Sequence, residues 1–185
     1  MSNNCKKENS FPTDSNIPVI IKVQVIELLN ITLATTVDLK TQIKQAYWNV
    51  TGSNSEPLQE LFAQMATELE EYNDIFAERI ADLGGLAVAT ARVAAKLSQL
   101  PEYPHNILDS YDHVTAVVQR LTIYAQLLLH EGVQIAKWGA VDTSFLYAEV
   151  FRVIDRRLWL LQAHLQASAQ ANETAAVKRC AIANS

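Results

Sequence analysis

The stretch LQELFAQMATELEEYNDIFAERIADLGG, residues 58–85, carries the most regular pattern in the chain. Leu58, Leu61, Phe62, Met65, Leu69, Tyr72, Phe76, Ile80 and Leu83 recur at three- or four-residue steps, the spacing of one face of an α-helix. Nothing interrupts the pattern until Gly84-Gly85, where a helix is expected to stop. Pro57 just before it suits a first helical turn, because its missing N–H would be unbonded there.

The same period extends on both sides. Residues 19–50 hold no glycine or proline, and Val25, Leu29, Leu33, Val37, Ile43, Tyr47 and Val50 predict one long helix ended by Gly52 and the polar turn Ser53-Asn54-Ser55. A third helix is expected over 110–138 through Val114, Val117, Leu121, Ala125 and Leu128, stopping at Gly139. A fourth is expected from Asp142, a good N-cap residue, through Leu146, Val150, Ile154, Leu158, Leu161 and Leu165. Residues 86–106, LAVATARVAAKLSQLPEYPHN, are too long for a tight turn and hold a short helical pattern near 90–100. No segment has strand periodicity. The reading is all-α: a four-helix bundle whose long middle crossover makes the second and third long helices parallel.

At 185 residues the chain suffices for one domain, placed at 18–168 between flexible tails 1–17 and 169–185. The formal net charge is −5, and neither tail is polybasic: Lys6 and Lys7 face Glu8 and Asp14, and Lys178 and Arg179 face Glu173. DNA binding is therefore expected to be weak or absent. Cys5 and Cys180 form no disulfide framework and are expected to be reduced. No signal peptide and no run of about twenty apolar residues is seen, so a soluble, cytoplasmic protein without membrane partners is expected.

Two patterns bear on metal chemistry. EYPH, Glu102 to His105, is the single E-x-x-H match, and Pro101 and Pro104 argue against a helix there, so it reads as chance. DIFAE places Asp74 and Glu78 one turn apart, on a polar stripe with Glu60, Gln64, Thr67 and Glu71. Carboxylates so spaced suit a hard cation, although a plain solvated face has the same pattern. His113, His130 and His164 read as surface or packing residues, and Trp48, Trp138 and Trp159 as core or interface residues. No nucleophile with its base, P-loop or dinucleotide fingerprint occurs.

YWNVTG at 47–52, LQELFAQM at 58–65, DIFAERIADLGG at 74–85, LPEYP at 100–104 and LWLLQAHLQ at 158–166 together resemble the Dps proteins, mini-ferritins of the ferritin-like superfamily, over residues 20–168. The resemblance implies a ferritin-like bundle with a short helix in the crossover, assembled as a twelve-subunit cage. Ala87, Ala91, Ala94 and Ala95 on that short segment would suit a two-fold contact. It also implies oxidation of ferrous iron by peroxide or oxygen and storage of the ferric mineral.

The family's iron site lies between two subunits. One normally supplies a histidine before the tryptophan, a second twelve residues later and an aspartate four after that; here these positions hold Tyr47, Gln59 and Ala63. The carboxylates from the other subunit persist as Asp74 and Glu78, so three of five ligand positions are replaced. Trp48 and Lys44 lie beside the site, and Glu60 and Glu71 are candidate iron-nucleation residues. The family's acidic three-fold pore segment corresponds to GAVDTSF, 139–145, where Ala140 and Phe145 replace acids and Asp142 remains.

The resemblance therefore implies a homododecamer that binds iron, or another divalent metal, at a weak or atypical site and serves oxidative-stress protection with impaired ferroxidation. The alternative is a non-catalytic cage subunit that co-assembles with active paralogues. Rapid ferroxidation would instead require a substitute ligand, for which His164 is one candidate. If no cation sits between Asp74 and Glu78, either Lys44 or Arg79 neutralises them, with the Tyr47 hydroxyl donating a hydrogen bond, or Tyr47 only fills the volume left by the missing histidine.

Overall fold

The computed structural model describes residues 17–52 and 55–183, the side chains of residues 168 and 171–183 apart. It has five helices: α1 (Val19–Asn49), α2 (Ser55–Asp82), α3 (Ala91–Leu97), α4 (Ser110–Lys137) and α5 (Val141–Ala183). Among the described residues there is no strand.

Side-chain pairs set the helix directions. Thr51 with Ser110, Gln42 with Arg120, Thr36 with Tyr124 and Thr32 with Glu131 run down α1 as they run up α4, so these helices are antiparallel. Glu68 with Arg157, Phe76 with Tyr147 and Arg79 with Thr143 do the same for α2 and α5. A short loop turns α1 back into α2, which leaves α2 parallel to α4, joined by the crossover 83–109 that contains α3. This is the topology expected from the long middle connection.

The apolar stripes meet in one core. From α2, Leu58, Phe62, Met65, Leu69, Phe76 and Ile80 are buried, while Leu61 and Tyr72 are half-buried. They face Val25, Leu29, Leu33, Leu39 and Ile43 of α1, together with Val114, Val117, Leu121 and Leu128 of α4. By length and composition α1 is apolar enough to cross a membrane; here 39% of that stretch is buried, and Val25, Leu29 and Leu33 of this helix lie in the bundle core.

The crossover is pinned by polar side chains of α1. Asn30 Nδ2 donates to the Leu86 carbonyl (3.1 Å), and its Oδ1 accepts from the Val88 amide (2.8 Å). Ser98 Oγ donates to Asp38 (2.5 Å). Ala94 packs into the bundle, leaving Ala87, Ala91 and Ala95 exposed.

Two expectations need correction. Asp142 is not an N-cap. Gly139, at φ +82°, ends α4 in the left-handed region, the Ala140 amide bonds back to Ile135, and α5 is already helical at Val141. Asp142 instead lies in the first turn, where its charge complements the helix dipole. The segment 169–183 is not a separate tail but continues α5 to Ala183. Its apolar period lapses after Leu165, yet it is rich in alanine and free of glycine and proline, which favours a helix. Of the core and interface alternatives for the tryptophans, Trp48 and Trp159 lie off the buried stripes of their helices, 65% and 67% exposed, and Trp138 is half-buried. Cys5 and the Cys180 side chain lie outside the described residues.

Leu121 is fully buried and Leu108 is 86% exposed. Leu121→Ala should therefore cost about 2–5 kcal/mol in urea unfolding, and Leu108→Ala less than about 0.5 kcal/mol. Similar costs would contradict the placement of the core.

Candidate functional site

Lys44, Tyr47 and Trp48 are three and four residues apart and so share a face at the end of α1. The Lys44 ammonium lies 4.1 Å from the Tyr47 ring centroid and 5.9 Å from that of Trp48, a cation–π arrangement. Tyr47 is half-buried; Trp48 is exposed and, with Lys44, lines a cleft of about 710 Å³ also bounded by Lys40, Glu102 and His105. On α2, the Gln59 amide reaches the Val50 carbonyl at 3.5 Å, and Ala63 supplies only a methyl group.

Asp74 and Glu78 project from α2 one turn apart, both exposed. Eleven residues separate Ala63 from Asp74, about 16 Å along a helix. The Tyr47 cluster and the two carboxylates therefore cannot grip one ion within a single chain. Among the described residues, no group of three or more His, Cys, Asp or Glu could hold a metal ion. A metal site using these positions would need donors from a second copy.

The bases expected to neutralise these carboxylates are otherwise engaged within the chain. Lys44 lies on the two rings, and Arg79 Nε donates to Thr143 Oγ1 (2.9 Å) with its head 3.9 Å from Asp82. Glu60 and Glu71 are exposed, Glu60 accepting from Gln64 Nε2 at 2.9 Å. The Glu68–Arg157 pair sets the α2/α5 register and so brings half-buried His164 near the level of Glu60, at the same end of the bundle as Tyr47.

In the 139–145 segment Asp142 is exposed, Phe145 is 68% exposed and Ala140 is completely buried. An acid at 140 would enter the core. Phe145 with Leu129 and Val133 instead lines an apolar cavity of about 270 Å³ between α4 and α5. Glu102 and His105 do meet, Nε2 to Oε1 at 2.9 Å, but on an irregular and exposed segment. Two side chains can approach in a loop without sharing a helical face.

The ferritin-like domain model matches residues 26–170. The chain is similar to the DNA protection during starvation protein of Agrobacterium fabrum, with 31% identity over 154 residues, covering 83% of this chain and 95% of the relative. This chain is a Dps protein. Among solved structures, a Dps protein from Bacillus brevis superposes with a TM-score of 0.75 at 25% identity, covering 79% of this chain and 97% of that one. The Dps of Vibrio cholerae O1, described as a member of a broad superfamily of ferritin-like diiron-carboxylate proteins, gives 0.76 at 22% identity, covering 85% and 99%.

The centre of this Dps bundle holds a polar cluster missed in the sequence reading. Glu131 of α4 is 4% exposed, and its carboxylate accepts from Thr32 Oγ1 (2.5 Å) and from the Tyr147 hydroxyl (3.2 Å); Thr32 and Tyr147 lie 2.8 Å apart. Thr36 and the Tyr124 hydroxyl add a second contact at 2.7 Å. Gly132 lets α5 come close, since a Cβ there would lie 3.0 Å from that of Tyr147. The signal was available: Glu131 occupies the core phase of the stripe that runs through Leu121 and Leu128. Burial raises the Glu131 pKa to about 7, although its two hydrogen bonds oppose the shift. Near the other end of α4, buried His113 accepts from or donates to the Tyr103 hydroxyl through Nδ1 (2.7 Å), and burial lowers its pKa.

The folded chain keeps Glu131 protonated to a higher pH than the unfolded chain, whose value is near 4.5. Its contribution to stability is therefore full below pH ~4.5 and is lost as the pH rises through about 7, in total roughly 3 kcal/mol. His113 acts oppositely: its lowered pKa destabilises the fold as the pH falls below 6.5. Glu131→Gln should keep the His113 slope and remove the other. Denaturation at pH 5 and pH 8 should then show wild type losing stability relative to the variant at the higher pH, and parallel pH profiles would refute it.

Proposed function

We propose that this Dps chain forms a hollow, cytoplasmic cage that takes up ferrous iron as its substrate and limits oxidative damage, with ferroxidation slower than in members carrying both histidines. The observation that carries this is the split character of the site. Two exposed carboxylates, Asp74 and Glu78, stand ready on α2, while the complementary positions hold Tyr47, Gln59 and Ala63.

The family relatives support the iron and stress-protection part. One bears the name DNA protection during starvation protein, and another is described as a ferritin-like diiron-carboxylate protein. The residues support the slow part. A phenol is protonated at neutral pH, an amide is a weak ligand and a methyl is none, so a divalent ion held by two carboxylates of one copy would gain little from the other. The Lys44 ammonium on the Tyr47 ring adds like charge against a cation. The exposed phenyl of Phe145 lacks the field with which an acidic entrance concentrates cations. With a net charge of −5, protection acts through iron rather than through coating DNA.

Lys44 also favours a second reading, a non-catalytic subunit in a mixed cage, in which its ammonium replaces the metal as the partner of Asp74 and Glu78 from a second copy.

Light scattering at neutral pH should give twelve times the 20.6 kDa chain mass; a monomer or dimer would remove the cage. In stopped-flow assays, ferrous oxidation should be slow and should accelerate several-fold in the triple variant Tyr47→His, Gln59→His, Ala63→Asp. Fast, saturable oxidation by the unmodified protein, abolished by Asp74→Ala, would count against the slow-site reading. No iron uptake by either protein would favour the non-catalytic subunit.

A further inference from the structure

The iron-handling reading leaves the polar cluster at the bundle centre without a use. We propose that Tyr147 is a one-electron donor to strong oxidants, with Glu131 as its internal proton acceptor and Thr32 as the bridge between them. The Tyr147 hydroxyl contacts both the carboxylate (3.2 Å) and the Thr32 hydroxyl (2.8 Å), and Thr32 is bonded to the same carboxylate oxygen. Tyr147 and Thr32 are fully buried and Glu131 is 4% exposed, so the proton has no route to bulk water in the same step.

The step balances within the cluster. The phenolic O–H bond breaks, and its proton moves to Glu131 either directly or by relay through Thr32. One electron leaves Tyr147, which is oxidised to a neutral phenoxyl radical. The electron reduces a hydroxyl radical to hydroxide, an oxidant formed when hydrogen peroxide takes one electron from a ferrous ion. Before the step the cluster holds a buried carboxylate; afterwards it holds a neutral acid and a neutral radical. Loss of a charge that is costly to bury makes Tyr147 easier to oxidise than a phenol in water that must release its proton unaided.

The other buried phenols lack this advantage. Tyr124 is bonded to the Thr36 hydroxyl, which is no base. Tyr103 is bonded to His113, but transfer of its proton would create a buried imidazolium whose Nε2 has no hydrogen-bond partner. The groups acting on the Glu131 carboxylate are the Tyr147 hydroxyl from α5 and the Thr32 hydroxyl from α1, with the Tyr124 phenol on its own helix coupled through space.

Phe76 carries the aromatic contact as far as the inner face of α2, the helix that bears Asp74 and Glu78 on its outer face. Its ring meets that of Tyr147 edge-on at 5.5 Å, and it lies between Asp74 and Glu78 in the sequence. That link to iron chemistry rests on the function proposed above, whereas the Tyr147–Glu131 pair does not.

The test uses the assembled protein in two arms. In one, azide radicals made by pulse radiolysis oxidise it without iron. In the other, ferrous iron and hydrogen peroxide are added and the sample is freeze-quenched for electron paramagnetic resonance. Phenoxyl radical is expected in both, mostly lost in Tyr147→Phe and retained in Tyr124→Phe and Tyr103→Phe. Its yield should rise from pH 6 to pH 8 as Glu131 ionises, and Glu131→Gln should lower the yield and flatten that profile. An undiminished radical in Tyr147→Phe, or a Glu131→Gln profile matching wild type, overturns the proposal. A Tyr147-dependent radical in the radiolysis arm alone upholds the pair and defeats its coupling to iron.

Discussion

The hydroxyl of Thr32 ties three helices at one point. It bonds to Glu131 of α4 and lies against Tyr147 of α5, and one turn later Thr36 meets Tyr124. Apolar stripes are forgiving, because leucines and valines that slide by a turn still bury carbon against carbon. Buried oxygens are not, since each left without a partner costs on the order of 1–3 kcal/mol, and more for a carboxylate. A slip of α1 by one turn would strand several of them together, so this cluster selects one register for α1, α4 and α5 from those that the stripes permit. Gly132 supports it by letting Tyr147 approach closely.

The register in turn decides what the exterior can do. With α1 fixed, Tyr47 and Lys44 lie at one end of the bundle, while Asp74 and Glu78 lie about 16 Å further along α2. No side chain is long enough to close that gap. The two groups of residues face outward separately, so the metal chemistry proposed for them would belong to an association of copies. Exposed Trp48 and Phe145 are consistent with surfaces built for contact, since exposed large aromatic side chains are enriched where proteins meet.

The substitutions relative to the family pattern share a physical direction. On the family resemblance, Tyr47, Gln59, Ala63 and Phe145 stand where groups that bind or attract a cation are expected, and Lys44 adds a positive charge beside the first of them. Meanwhile the buried Tyr147–Glu131 pair sits inside the bundle, away from the exposed carboxylates. In the proposed function the outer face is the part less suited to gripping iron, whereas the interior holds an ionisable, oxidisable centre. The two have different requirements: a metal site needs several converging donors, and a phenol needs one well-placed base.

The sequence by itself determined the four long helices, the parallel placement of α2 and α4, and the family. Unbroken three- and four-residue spacing and glycine stops are local properties, and several motifs in order are visible without coordinates. It also located Asp74 and Glu78, one turn apart on α2. It misjudged the end of α5 because the apolar period and helix propensity part company after Leu165, and it said nothing of the contact between Glu102 and His105, because helical spacing does not describe loops. The tertiary structure alone decided that Ala140 points into the core, that Trp48 and Trp159 lie outside it, and that Glu131 finds partners on two other helices. Those outcomes depend on which groups from distant parts of the chain arrive at the same point, and burial and hydrogen bonding are properties of that meeting.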